Sequence, residues 1–211
     1  MMASYYPWLG VFLLGCYHGI NPAMGWLFAV AIGLQERKSA AVLRSIIPLT
    51  LGHIASVGAV VIVTVVAAAQ LPHSAVRIGA AAILLTFGIS RLVRVRHPRW
   101  VGMRVGFWGL ALWSLLMSSA HGAGLMLVPF VTAMHAARDS MDMPMPAPPP
   151  QYGAGLVMVA LHTLGYALTT LVIAMAVYVR FGVSFLRTAW FNVDVIWAAA
   201  LIVSGLVTLL V

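Results

Sequence analysis

From Ile46 to Ala69 the chain reads IIPLTLGHIASVGAVVIVTVVAAA, without one Asp, Glu, Lys or Arg. That run exceeds the ~20 apolar residues a helix needs to cross a bilayer. In hydrocarbon every backbone polar group must find its partner inside the protein, and a helix does this within a single segment. Five further segments share the character, so the apolar stretches lie at about 7–34, 46–69, 75–93, 106–136, 153–179 and 193–211. The first, fourth and fifth are longer than a simple span requires, which predicts tilts, kinks or breaks. The expected fold is therefore all-α: a polytopic, multi-pass membrane protein of six transmembrane helices, of the kind found in a bacterial inner (plasma) membrane. No basic residue precedes Arg37, so the first segment reads as a mature span rather than a cleaved signal.

Charge sets the expected orientation. The chain carries 12 Lys and Arg against 4 Asp and Glu, a net charge of +8. Such a balance can mark a nucleic-acid partner, but here the basic residues are confined to the gaps between apolar segments and to the segment ends beside them. Arg37, Lys38 and Arg44 follow the first segment. Arg91, Arg94, Arg96, Arg99 and Arg104 follow the third, and Arg180 and Arg187 follow the fifth. At the two remaining gaps stand only Arg77, just inside the third segment, and Arg138. By the positive-inside rule both termini lie outside the cytoplasm, N-out and C-out. The single cysteine, Cys16, excludes an intramolecular disulfide and any CxxC motif.

Six spans with outward termini divide into two halves of three with opposite orientation, and the chain shows matching self-similarity. His18-Gly19 in the first span corresponds to His121-Gly122 in the fourth, and His53 in the second to His162 in the fifth. AAAILLTFGIS from Ala80 corresponds to AAALIVSGLVT from Ala198, which aligns Thr86 with Ser204 and Ser90 with Thr208. The expectation is an inverted 3+3 repeat, residues 1–105 and 106–211, with an external Met/Pro-rich linker at 138–152. Inverted repeats are a recurrent basis of alternating access, with the substrate site near the midplane.

His18, His53, His121 and His162 fall well inside spans, whereas Glu36, Asp139, Asp142 and Asp194 fall at span ends or in gaps. Ionisable groups in hydrocarbon are costly and face a partner or an aqueous cavity. Each imidazole either satisfies itself across a helix contact, as packing requires, or joins the others at one site. In the second case it can ligate a metal or carry a proton. Thr50 and Ser56 share a helical face with His53, and Tyr166, Thr169 and Thr170 one with His162. Such hydroxyls can hold the far nitrogen of a ligating ring. Beside His18, Pro22 lacks an N–H and disfavours a regular helix, so a break is expected there, with Asn21 either capping it or acting as a ligand. Gly122, Gly124 and Pro129 predict a related break beside His121.

HGINPAM in the first span and SSAHGAG in the fourth resemble the paired motifs of the nickel/cobalt transporters of the lysine exporter (LysE) superfamily. That resemblance implies about six spans, broken helices, a 3+3 repeat and transport of a transition-metal ion. His18 and Pro22 match the family's H-x-x-x-P-D-H, but Ala23 and Met24 stand where it has Asp-His. Loss of those ligands leaves, if metal still binds, a softer site of His, Met24 and Cys16 that suits Cu(I). Met141, Met143 and Met145 in the external linker, near His135, Asp139 and Asp142, offer further thioethers.

The function expected is thus a small secondary transporter, with His18, Asn21, Met24, His53, His121 and His162 binding the cargo and protons coupled to its movement. Alternatives are an exporter of a small organic solute such as an amino acid, and a non-transporting accessory subunit of a membrane complex. No enzyme is expected, since no carboxylate pair, CxxC or activated serine lies within the spans. Nor is a tightly bound cofactor, only a metal ion as cargo. The partners expected are lipid and cargo rather than nucleic acid, and a homo-oligomer is left open.

Overall fold

A computed structural model of the chain describes residues 6–93, 105–139, 151–180 and 194–210. Most of the linker expected at 138–152, and the basic segment 94–104, lie outside them. All the regular structure in the described residues is helical: α1 (Tyr6–Ile20), α2 (Trp26–Glu36), α3 (Ser39–Gln70), α4 (His73–Val93), α5 (Phe107–Ala120), α6 (Val128–Asp139), α7 (Gln151–Arg180) and α8 (Asp194–Leu210). Short 3-10 turns, Pro22–Met24 and Leu125–Leu127, separate α1 from α2 and α5 from α6.

Each of the six apolar segments is therefore helical, and the first and fourth are each broken once. By length and composition, Ser39–Gln70 and Gly153–Arg180 can cross a membrane, and a third crossing results if the broken pair α5 and α6 is one span. Their outward side chains are apolar: Ile47, Ile62 and Val63 on α3, and Leu156, Val172 and Val179 on α7, are all largely exposed. Water solvates such surface poorly and lipid solvates it well, so the chain reads as a membrane protein.

The chain divides into two compact units, each drawing on both halves of the sequence. The first comprises Met1–Ser56, His97–Ala120 and Ala160–Asn192, and the second Val57–Arg96, His121–Val159 and Val193–Val211. In the first unit, α1 lies against α7 at glycines. A Cβ at Gly15 would collide with the backbone of His162, one at Gly19 with Tyr166 and Thr169, and one at Gly165 with Phe12 and Cys16. Contacts climb both helices together, so α1 and α7 run parallel. Helices α3 and α5 do the same: Gly52 seats against Ala111, Ser114 and Leu115. There Ser114 Oγ donates to the Leu49 carbonyl at 2.6 Å, and the Ser56 and Ser119 hydroxyls meet at 2.9 Å. Between apolar helices in lipid there is little hydrophobic drive, so close approach at small residues and such hydroxyl bonds carry the association. Trp26, Val30, Val42, Leu49, Leu110 and Val177 form the buried core of this unit.

In the second unit α4 pairs with α8. Gly88 seats against Ala198 and Ile202, and Gly205 against Leu84 and Leu85, an antiparallel arrangement.

Candidate functional site

The break between α1 and α2 is built by four residues in sequence. Asn21 precedes a proline and so takes an extended conformation, with φ −66° and ψ 121°. Its Oδ1 accepts from the Ala23 N–H at 2.9 Å, capping the 3-10 turn. Pro22 opens that turn, where a missing N–H costs nothing. Gly25, at φ 119°, then turns the chain into α2 through a conformation that only glycine adopts cheaply.

A broken helix frees carbonyls, and buried carbonyls need donors. Here aromatic side chains supply them. Trp26 Nε1 donates to the Ile20 carbonyl at 3.0 Å, and Trp113 Nε1 to that of Ala23 at 3.2 Å. The Tyr166 hydroxyl donates to the Met24 carbonyl at 2.7 Å. Donors from α2, α5 and α7 thus clamp the turn, and these carbonyls are satisfied by the protein itself. The comparable break beside His121 has Gly122 at φ 70° and Pro129 near the start of α6, both in the second unit.

Beside the clamped turn lie three imidazoles with no solvent exposure: His18, His53 and His162. Their ring centroids are 4.9 Å apart for His18–His162, 5.4 Å for His53–His162 and 6.0 Å for His18–His53. Tyr166 stacks on His53 at 3.9 Å. In each ring Nδ1 has a protein partner. That of His18 meets the Leu14 carbonyl at 2.9 Å, that of His162 the Val11 carbonyl at 3.4 Å, and that of His53 the Ser118 hydroxyl at 2.9 Å. A carbonyl can only accept, so His18 and His162 carry their proton on Nδ1 and present Nε2 as a lone pair. Ser118 Oγ in turn points to Met24 Sδ at 3.9 Å. A Ser118 hydroxyl that donates to that sulfur accepts from His53 Nδ1, which gives the ring the same tautomer; one that donates to Nδ1 gives it the other. The Nε2 atoms of His53 and His162 are buried without a hydrogen-bond partner. The same holds for Asn21 Nδ2, Thr50 Oγ1 and Thr163 Oγ1, all in this unit.

The spacing and the orientation of the rings point in different directions. An imidazole bound through Nε2 at about 2.0–2.1 Å puts its centroid roughly 3.2 Å from the ion, so rings sharing one ion lie about 5.2–5.5 Å apart. The observed separations bracket that value. However, His53 and His162 are stacked with planes only 12° apart, and two offset parallel planes cannot both contain one ion. Accordingly, no group of three or more His, Cys, Asp or Glu among the described residues stands ready to hold a metal. One of the two rings must turn about its Cβ–Cγ bond before both lone pairs meet.

The structure therefore brings together His18, His53 and His162 with Asn21, Pro22, Met24 and Tyr166, and places His121, Gly122, Gly124 and Pro129 in the second unit, where His121 is buried. The hydroxyls that share a face with His53 do not hold its ring: Thr50 has no partner and Ser56 bonds Ser119. Tyr166 serves the Met24 carbonyl rather than an imidazole, and Thr169 lies against Gly19. Cys16 is free and partly exposed beside Gly165. Sequence reasoning missed Ser118, Trp26 and Trp113. Ser118 sits in the SSAHGAG motif, but its partner is 65 residues away, a distance no helical spacing rule spans. Compared with known protein families, with characterised proteins and with solved structures, the chain shows no significant match.

Proposed function

We propose that the chain is a small secondary transporter of six transmembrane helices, an inverted 3+3 repeat with both termini outside, which moves a transition-metal ion through the imidazole cluster of its first unit. The observation that carries this reading is the cluster itself. Three fully buried rings lie within 6.0 Å of one another, each Nδ1 occupied, with the Nε2 atoms of His53 and His162 left for something else. A lone pair stranded in a low-dielectric interior costs free energy unless a ligand, water or ion uses it.

Helix contacts support the repeat. The correspondences His18–His121 and His53–His162 carry Gly15 onto Ser118 and His162 onto His53. The α1–α7 contact of Gly15 with His162 thereby becomes the α5–α3 contact of Ser118 with His53, and both are observed. The contact of Cys16 with Gly165 likewise becomes that of Ser119 with Ser56. The α4 and α8 strings that resemble each other pack on each other. In the mechanism proposed, the two repeats rock about the site, and protonation of an Nε2 competes with the ion for the same lone pair, which couples cargo to protons. The chain has no Walker motif to supply ATP drive.

The test is flux in proteoliposomes, with and without a pH gradient, for the native chain and His18→Gln. Metal uptake that the gradient alters and His18→Gln abolishes is expected; no flux of any mono- or divalent metal sinks the metal reading. One observation favours a second reading, an exporter of a small organic solute in which the histidines handle protons. As they stand the rings do not converge on an ion, and Asn21 Nδ2 and Thr163 Oγ1 offer hydrogen bonds to a polar solute. Protein purified without stoichiometric metal, and unable to take it up, would decide for that reading.

A further inference from the structure

We infer that one end of the first unit is a binding surface for the headgroups of anionic phospholipids, a role that goes beyond the transporter reading and holds whatever the cargo is. The packing of this unit gathers cations there from separate helices. The corner between α2 and α3 carries Arg37 and Lys38, with Arg44 just inside α3, and all three are exposed. Helix α7 ends at Arg180, also exposed. Two residues earlier, Tyr178 packs against Gly33 of α2, as Val42 of α3 does, so Arg180 lies at the same end as the corner. Helix α5 brings aromatic rings to this level. The bonds of Leu49 with Ser114 and of His53 with Ser118 both join residues 65 apart, and that register carries Arg44 of α3 to Gly109 of α5, next to Trp108. Trp108 is 79% exposed, and Phe107 meets it edge to face at 5.2 Å.

The charge at this end is not compensated within the unit. Glu36 is the only Asp or Glu in its sequence, and it pairs with Arg44 at 3.0 Å. Among the described residues no ion pair holds Arg37, Lys38 or Arg180. Bare cations attract acidic protein, nucleic acid and anionic lipid alike, so their flanks decide the partner. Beside them on the same helices, Leu43, Ile47, Leu112 and Val179 expose apolar side chains. A soluble polyanion has nothing to set against these. A phospholipid matches both levels, with its phosphate on the guanidinium and ammonium groups and its acyl chains on the apolar flank. An indole combines an apolar ring with one N–H donor, so an exposed Trp108 suits the boundary between the two levels. Each Lys or Arg near an anionic leaflet strengthens attachment by about fivefold, so three together amount to about a hundredfold.

The experiment uses the full chain in a neutral detergent, titrated with phosphatidylglycerol or with phosphatidylcholine of the same acyl chains. Bound lipid is counted by native mass spectrometry, and the unfolding temperature is followed in parallel. Phosphatidylglycerol should be retained and should raise the unfolding temperature, less so as salt screens the charges; phosphatidylcholine should do neither. The triple variant Arg37→Gln, Lys38→Gln, Arg180→Gln should match the native chain in phosphatidylcholine and lose about a hundredfold in phosphatidylglycerol affinity. The charge-conserving pair Arg37→Lys, Arg180→Lys should keep that affinity. Should the triple variant not fold, Arg180→Gln alone replaces it, with a loss of about fivefold expected. Equal retention of the two lipids, or phosphatidylglycerol affinity unchanged by loss of the cations, overturns the inference. So does equal stabilisation by inorganic phosphate or by heparin, since either would show the cations acting without the apolar flank.

Discussion

The contact of α1 with α7 makes a sharp test of how this chain holds together. A Cβ added at Gly15 would overlap the His162 carbonyl oxygen and lie 2.8 Å from its carbon and 3.0 Å from its Cα. These are backbone atoms of a continuous helix, so no side chain can turn aside. Ordinary van der Waals contact begins near 3.4 Å, so the helices must part by more than an ångström. A gap of about 0.5–1 Å forfeits a quarter to a half of each dispersion contact it opens. Overpacking in a rigid interior costs about 1–3 kcal/mol, and a rigid backbone belongs at the top of that range. The same movement stretches the bond of His162 Nδ1 to Val11, already 3.4 Å long, worth at most about 1 kcal/mol. Gly15→Ala should therefore destabilise the chain by roughly 3 kcal/mol. Gly58, also within a helix, has open space within 4 Å of the position its Cβ would take, so Gly58→Ala should stabilise by about 0.5–1 kcal/mol through lost glycine entropy. Both are measured by reversible unfolding in mixed micelles. A Gly15→Ala protein as stable as the native one would refute the close α1–α7 contact, and with it the placement of His162 beside His18.

Three other outcomes follow from the same geometry. Tyr166→Phe keeps the ring on His53 but strands the Met24 carbonyl, so a loss of about 1–3 kcal/mol is expected in the same unfolding measurement; an unchanged value would mean that the clamp is not formed. Ser118→Ala removes the partner of His53 Nδ1 and should cost a similar ~1–3 kcal/mol while changing the tautomer populations of that ring in nitrogen-15 spectra; an unaltered spectrum would contradict the relay from His53 through Ser118 to Met24. For the proposed orientation, a C-terminal alkaline phosphatase fusion should be active and a C-terminal green fluorescent protein fusion dark, and the reverse pattern would invert the topology.

Much of the scaffold was legible in the sequence because the physics involved is local. A charge-free apolar run must become a helix in hydrocarbon, and Asn21-Pro22 disfavours a regular one, since each acts through its own backbone. The boundaries of α4, α7 and α8 accordingly fall within two residues of the apolar segments, whereas α3 begins at Ser39, well ahead of its segment. What the sequence could not reveal is where side chains from different helices meet. Thr50 and Ser56 share a face with His53 by spacing alone, yet Ser118 from α5 holds the ring, because a parallel neighbour packed at Gly52 reaches Nδ1 first. Nor could it show that carbonyls freed at the helix break would be claimed by Trp26, Trp113 and Tyr166, since that depends on three helices arriving at one turn. The apolar segments, the break and the candidate histidines were thus determined by the sequence itself. Which three imidazoles cluster, which nitrogen each presents, and that two of the rings lie stacked were decided by the tertiary structure, because hydrogen bonds between distant residues exist only after the helices have packed.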